Sequence, residues 1–204
     1  MNRLNQSPNI YIIGDSISLG YTPEVARLLD GRARVTHNPG NAQYSSFGLQ
    51  NLKAWLGDEH IDLIHFNWGC WDRHYLDPTA DPLEPSVAKF KRDGVRRTTP
   101  EQYAANIEAI VKILQTTGAR LIWASSTPLR DDGKLVCKPE EVAPYNSVAA
   151  RIMAAYGIAI NDLYACALPE LDRLISSDGC HFTDDGYRHL GRQVAAVIQG
   201  ELAL

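Results

Sequence analysis

The 204-residue chain has no apolar run approaching the roughly 18 residues that a membrane span requires. Its opening stretch, Met1 to Pro8, carries no apolar core of the kind found in a secretory leader, so a cytoplasmic location is expected and no membrane insertion. Positive charge is not in excess either. With a net charge of -4 and basic residues clustered only locally, the chain offers no electrostatic footprint for a nucleic acid. Cysteine is scarce: the four, Cys70, Cys137, Cys166 and Cys180, show no C-x-x-C spacing, which points to free thiols in a reducing compartment. Cys180, His181 and His189 lie near one another but lack a paired ligand set, so no metal is expected. Both G-x-x-x-x-G-K and G-x-G-x-x-G are missing, and with them any sign of a nucleotide cofactor.

What remains is an ordinary folding composition, 45% apolar and 22% charged, which argues against disorder. A length of 204 residues is expected to make one domain, residues 1–204. Short apolar runs alternate with helical patterns, the signature of a parallel sheet covered on both faces. Strands are expected at Ile10–Ile13, Arg34–His37, Leu63–Trp68, Leu121–Ser125 and Ile158–Asn161. Five such strands suit an α/β, three-layer α/β/α sandwich of flavodoxin-like type. Helices are expected to begin at Thr22-Pro23-Glu24, near Leu49, at the capping box Thr99-Pro100-Glu101-Gln102, near Ala143 and at Thr183. Tyr44, Ser45 and Ser46 read as plain loop residues.

Chemistry is suggested first by Gly14-Asp15-Ser16, where the buried run Ile10 to Ile13 ends in a sharp turn before a helix. Open α/β sheets bind ligands outside the carboxyl ends of their strands, which is where Ser16 would stand. Far down the chain, Asp178-Gly179-Cys180-His181 places a carboxylate and an imidazole three residues apart in one loop. A serine hydroxyl becomes a nucleophile when an imidazole takes its proton, and a carboxylate fixes that imidazole's tautomer. The blander reading makes Ser16 a helix cap and Asp178 a turn former.

Together these blocks resemble the SGNH or GDSL hydrolases, serine esterases and lipases of flavodoxin-like fold, over nearly the whole chain. Gly14 to Ser16 matches the Gly-Asp-Ser block, Gly40 within Asn38-Pro39-Gly40-Asn41 the glycine block, and Asp178 to His181 the last block. The resemblance implies Ser16 as nucleophile, His181 as base and Asp178 as its orienting partner. It also implies an oxyanion hole built from the N–H groups of Ser16 and Gly40 and an Asn side chain in a G-x-N-D block. That third block departs from the family, because Gly69-Cys70-Trp71-Asp72 puts Trp71 where the Asn belongs. Asn67, just upstream, is the preferred replacement: an amide is compact enough to be aimed at an oxyanion, whereas an indole more often forms a pocket wall.

Residues 72–99 carry Pro78, Pro82 and Pro85 and then Lys89, Lys91, Arg92, Arg96 and Arg97. A stretch this long, starting at a strand end, is expected to be an insert loop that selects substrate. Asp15, Trp71, Arg73 and His74 complete the expected substrate-binding set. The expected reaction is hydrolysis of a short-chain, above all acetyl, ester of a small polar or carbohydrate alcohol. A thioesterase or lysophospholipase acting on longer chains is the alternative, and so is a catalytically idle binding protein on the same fold.

Overall fold

The computed structural model describes residues 7–80, 90–131 and 136–204. Five parallel strands form its sheet: β1 (Asn9–Ile13), β2 (Arg34–His37), β3 (Leu63–Phe66), β6 (Arg120–Ala124) and β7 (Ala159–Asn161), in the order β2-β1-β3-β6-β7. All five stand where the apolar runs put them, with ends shifted by one or two residues. The chain reverses its direction of travel across the sheet at β1 and β3, so the crevice at their carboxyl ends is the topological switch point where such folds bind ligands.

Alternation along each strand sends side chains to two separate cores. On one face Tyr11, Ile13, Ile64, Phe66 and Trp123 pack under α2 (Ser45–Leu56), α3 (Pro100–Gln115) and α4 (Val142–Tyr156). On the other Ile10, Ile12, Leu63 and Ile122 pack under α1 (Ser16–Leu28), α5 (Leu163–Ala167), α6 (Leu171–Leu174) and α7 (Asp184–Leu202). His65 is the one titratable side chain that β3 sends into the second core. It is held between Tyr21 and Asn161, and burial pushes its pKa down to about 3, so it is a neutral core histidine.

Two helix starts differ from expectation. Helix α1 begins at Ser16, with Asp15 as its cap, and Pro23 lies inside it. The reason is the stripe Ile17, Tyr21, Val25 and Leu29, whose burial draws the helix back to the end of β1. Pro23 sits on the exposed side of the helix. Helix α2 begins at Ser45, not near Leu49. Tyr44 supplies no side-chain cap, and instead the Ser45 N–H donates to the buried carboxylate of Asp72 at 3.0 and 3.1 Å. The capping box at Thr99 and the cap at Thr183 are where the sequence puts them.

The expected insert is only partly loop. A 3-10 turn at Trp71–Arg73 leads into β4 (Tyr75–Leu76), which pairs antiparallel with β5 (Val95–Arg96). This small ribbon is tied down by Glu141, which accepts from Tyr75 Oη at 2.6 Å and pairs with Arg96. Two cationic residues of this stretch are engaged within the protein: Arg92 pairs with Asp131, and Arg97 lies 4.4 Å over the Tyr44 ring. Pro82, Pro85 and Lys89 lie outside the described residues. Among the described residues no helix is long and apolar enough to cross a membrane.

Candidate active site

Ser16 is the first residue of α1, so its backbone N–H is one of the helix's orphan donors and stands at the positive end of the helix dipole. Asp15 occupies the neighbouring donor, accepting from Ile17 N at 2.9 Å. The Ser16 hydroxyl lies 2.8 Å from His181 Nε2, and His181 Nδ1 lies 2.6 Å from Asp178 Oδ2. A carboxylate only accepts, so Nδ1 carries the hydrogen and Nε2 of the neutral ring is left to accept from Ser16.

Asp178 is itself fixed. Its Oδ1 accepts from Ser176 Oγ at 2.7 Å and from the N–H groups of Cys180 and His181 at 2.9 Å each. Burial pushes this carboxyl up, but the bonds from Cys180, Ser176 and His181 outweigh it and hold Asp178 well below the usual carboxylate range. The loop closes between Ile175 and Phe182, with Ser176 N donating to His181 O at 2.8 Å. Behind it α7 is anchored by Leu190, Val194 and Ile198, and Tyr187 lies so close to Gly20 of α1 that a Cβ there would meet the ring at 2.1 Å. That close approach sets His181 over Ser16.

Gly40 stands exposed in the loop after β2, with φ of +65°. Asn67 follows β3 directly: its N–H donates to Ile13 O at 2.9 Å, and its side-chain Nδ2 donates to Ala124 O at 2.6 Å. Trp71 instead stacks in an aromatic cluster with His74 and Phe90, at centroid distances of 5.1 and 5.8 Å. Gly69 between them has φ of +141°, and a Cβ there would lie 2.7 Å from Ser126 Oγ, so the turn accepts only glycine.

Asp15, Arg73 and His74 of the expected substrate-binding set are all buried. Asp15 is buried as the α1 cap, Arg73 has no exposed surface, and His74 is buried against Phe90. Arg73 is drawn in because its Nε donates to Gly69 O at 3.0 Å. It helps wall a cavity of about 20 Å³, with Asp15, Asn67, Cys70, Ser126 and Cys180. Arg73 Nη1 and Nη2 and Ser126 Oγ are buried without a hydrogen-bond partner among the described residues. The space suits about one water molecule, which these groups are well placed to hold. The Ser45–Asp72 contact lies in a stretch that reads as plain loop from the sequence.

Burial beside Cys70 pushes the Asp15 carboxyl up to about 7, against the Ile17 N–H, His181 and Arg73, which pull it down. The unfolded chain ionises this group near the ordinary value of about 4, so between roughly pH 4 and 7 the folded state holds a proton that the unfolded state has lost. Stability from this group therefore falls as pH rises through that window, by at most roughly 4 kcal/mol. Asp15→Asn keeps a cap acceptor and removes the titration. Urea unfolding at pH 4, 5.5 and 7 should show the variant gaining on the wild type step by step, and a constant difference would reject the assignment.

No family model matches the sequence, and none of the curated proteins does. Solved structures do. A lipase/acylhydrolase from Enterococcus faecalis superposes with a TM-score of 0.75 at 20% identity, over 95% of this chain and 96% of that one. The acetyl xylan esterase AlAXEase gives 0.72 at 13% identity, over 93% and 99%. A protein from Slackia heliotrinireducens assigned to the SGNH hydrolases gives 0.69 at 18% identity, over 95% and 100%. The fold is that of the SGNH hydrolases. Within this SGNH fold, Ser16, Asp178 and His181 stand at the carboxyl ends of the strands, and among the described residues no group of three or more His, Cys, Asp or Glu is arranged to hold a metal ion.

Proposed function

We propose that the chain is a serine ester hydrolase that removes a short acyl group, acetyl foremost, from a small polar or carbohydrate alcohol through an acyl-Ser16 intermediate. The observation that carries the reading is the unbroken chain of hydrogen bonds from Ser16 Oγ through the His181 ring to Asp178. Ser16 Oγ attacks the ester carbonyl carbon as its proton passes to His181 Nε2, and Asp178 stabilises the imidazolium. The oxyanion meets the N–H groups of Ser16 and Gly40 and the Asn67 amide. His181 then protonates the departing alcohol, and water, activated by the same ring, releases the acid.

Support for a short acyl group comes from a structural relative. The acetyl xylan esterase among the structural relatives agrees with an acetyl ester of a carbohydrate. The test is hydrolysis of p-nitrophenyl acetate, butyrate and octanoate alongside labelling by a fluorophosphonate. Acetate should be the fastest, with octanoate at least tenfold slower in kcat/KM. Activity rising with chain length would favour the longer-chain thioesterase or lysophospholipase. Neither turnover nor labelling would leave a binding protein on this fold.

A further inference from the structure

The loop that holds His181 also holds Cys180, whose Sγ lies 4.0 Å from Cys70 Sγ across the site, 110 residues away in the chain. All four cysteines are free. We propose that Cys70 and Cys180 are a modification site, a dithiol that a small peroxide converts reversibly to a disulfide, shifting the loop that carries His181.

Three features support this. Both thiols line the cavity next to Asp15 and Ile17, the residues flanking Ser16, so the two sulfurs face one small polar space beside the site. Cys70 sits in an electropositive setting: its hydrogen bond with Cys180, then His74 and Arg73, hold the thiol well below its ordinary range despite burial. Thiolate character of this kind marks oxidant-sensitive cysteines. The other cysteines lack it. Burial pushes Cys137 up to about 12, and burial likewise raises Cys166, which lies by His189.

The chemistry balances. The Cys70 thiolate attacks one peroxide oxygen, breaking the O–O bond, giving a sulfenic acid and a hydroxide that takes up a proton to leave as water. Cys180 sulfur then attacks the sulfenic sulfur, and its proton and the sulfenic hydroxyl leave as a second water. Two thiols are oxidised by two electrons and one peroxide is reduced. A disulfide needs the sulfurs about 2.05 Å apart, so the pair must close by about 2 Å. Cys180 N and His181 N share the same acceptor, Asp178 Oδ1, so drawing Cys180 inward moves the imidazole from Ser16. Misplacing a catalytic group by about 1 Å can cost about a hundredfold in rate.

The pairing chemistry stands alone, and only its effect on turnover rests on the esterase reading. The experiment treats the full chain with hydrogen peroxide, maps its peptides by mass without reduction, and follows p-nitrophenyl acetate hydrolysis before and after dithiothreitol. The expected result is a peptide linking Cys70 to Cys180, turnover at least tenfold lower, and recovery on reduction. Cys166→Ser should behave as the wild type, and Cys180→Ser should leave a sulfenic acid at Cys70 that dimedone traps. A bridge to Cys137, or Cys70 and Cys180 both still reduced, would overturn the site. The bridge forming with unchanged turnover would overturn its coupling to His181. If the untreated protein has no esterase activity, the map still decides the pairing, and only the proposed function falls.

Discussion

Ser16→Ala is expected to fold as the wild type does and to hydrolyse p-nitrophenyl acetate about 10⁴-fold more slowly, or worse. Ser16 is half-buried, and its side chain serves no cap, since Asp15 fills that role through Ile17 N. Deleting the hydroxyl therefore removes little packing and leaves the helix start intact. What it does remove is the atom 2.8 Å from His181 Nε2, the only route by which that ring acts on a bound ester in a covalent mechanism. The loss should fall on kcat with KM little altered, because the alcohol and acyl groups still meet the same walls. Fluorophosphonate labelling should vanish in step. A variant that keeps more than a tenth of the activity, or still labels, would place the nucleophile elsewhere.

How far the sequence reveals this arrangement depends on the range over which each contact is made. Strand positions could be read because each apolar run is local, and the Asp178–His181 pair because four consecutive residues of one loop hold both groups. Ser16 was legible from its place after a buried run. Long-range contacts were not. Nothing in Tyr44-Ser45-Ser46 announces that Asp72, 27 residues on, will cap a helix there, with Ser45 Oγ donating to it at 2.5 Å. The start of α1 is hidden in the sequence because Thr22-Pro23 reads as a helix start, while the stripe Ile17, Tyr21, Val25 and Leu29 is buried only by the folded sheet. The burial of Arg73 is hidden for the same reason: it follows from the turn at Gly69, whose carbonyl accepts from its Nε. The pairing of Cys70 with Cys180 depends on two loops from opposite halves of the chain meeting at the switch point.

The departure at the third block leads to the second large effect. Asn67→Ala should lower kcat by about 10²- to 10³-fold, the equivalent of roughly 3 to 4 kcal/mol of transition-state stabilisation, with KM nearly unchanged. The argument starts from register. Ile13 pairs with Phe66, so the residues that follow, Gly14 and Asn67, emerge together beside Ser16. One amide hydrogen of Asn67 is spent on Ala124 O at 2.6 Å, which fixes the side chain and leaves the second for an oxyanion. Trp71 is committed differently, its ring packed with His74 and Phe90. Trp71→Phe keeps an aromatic ring there and removes the indole N–H, so its effect on kcat should stay within tenfold. Asn67→Asp should be at least as damaging as Asn67→Ala, since a carboxylate would repel both the Ala124 carbonyl and the oxyanion. Steady-state kinetics on p-nitrophenyl acetate for the three variants decides the matter: a hundredfold loss in Trp71→Phe with Asn67→Ala near wild type would reverse the two roles.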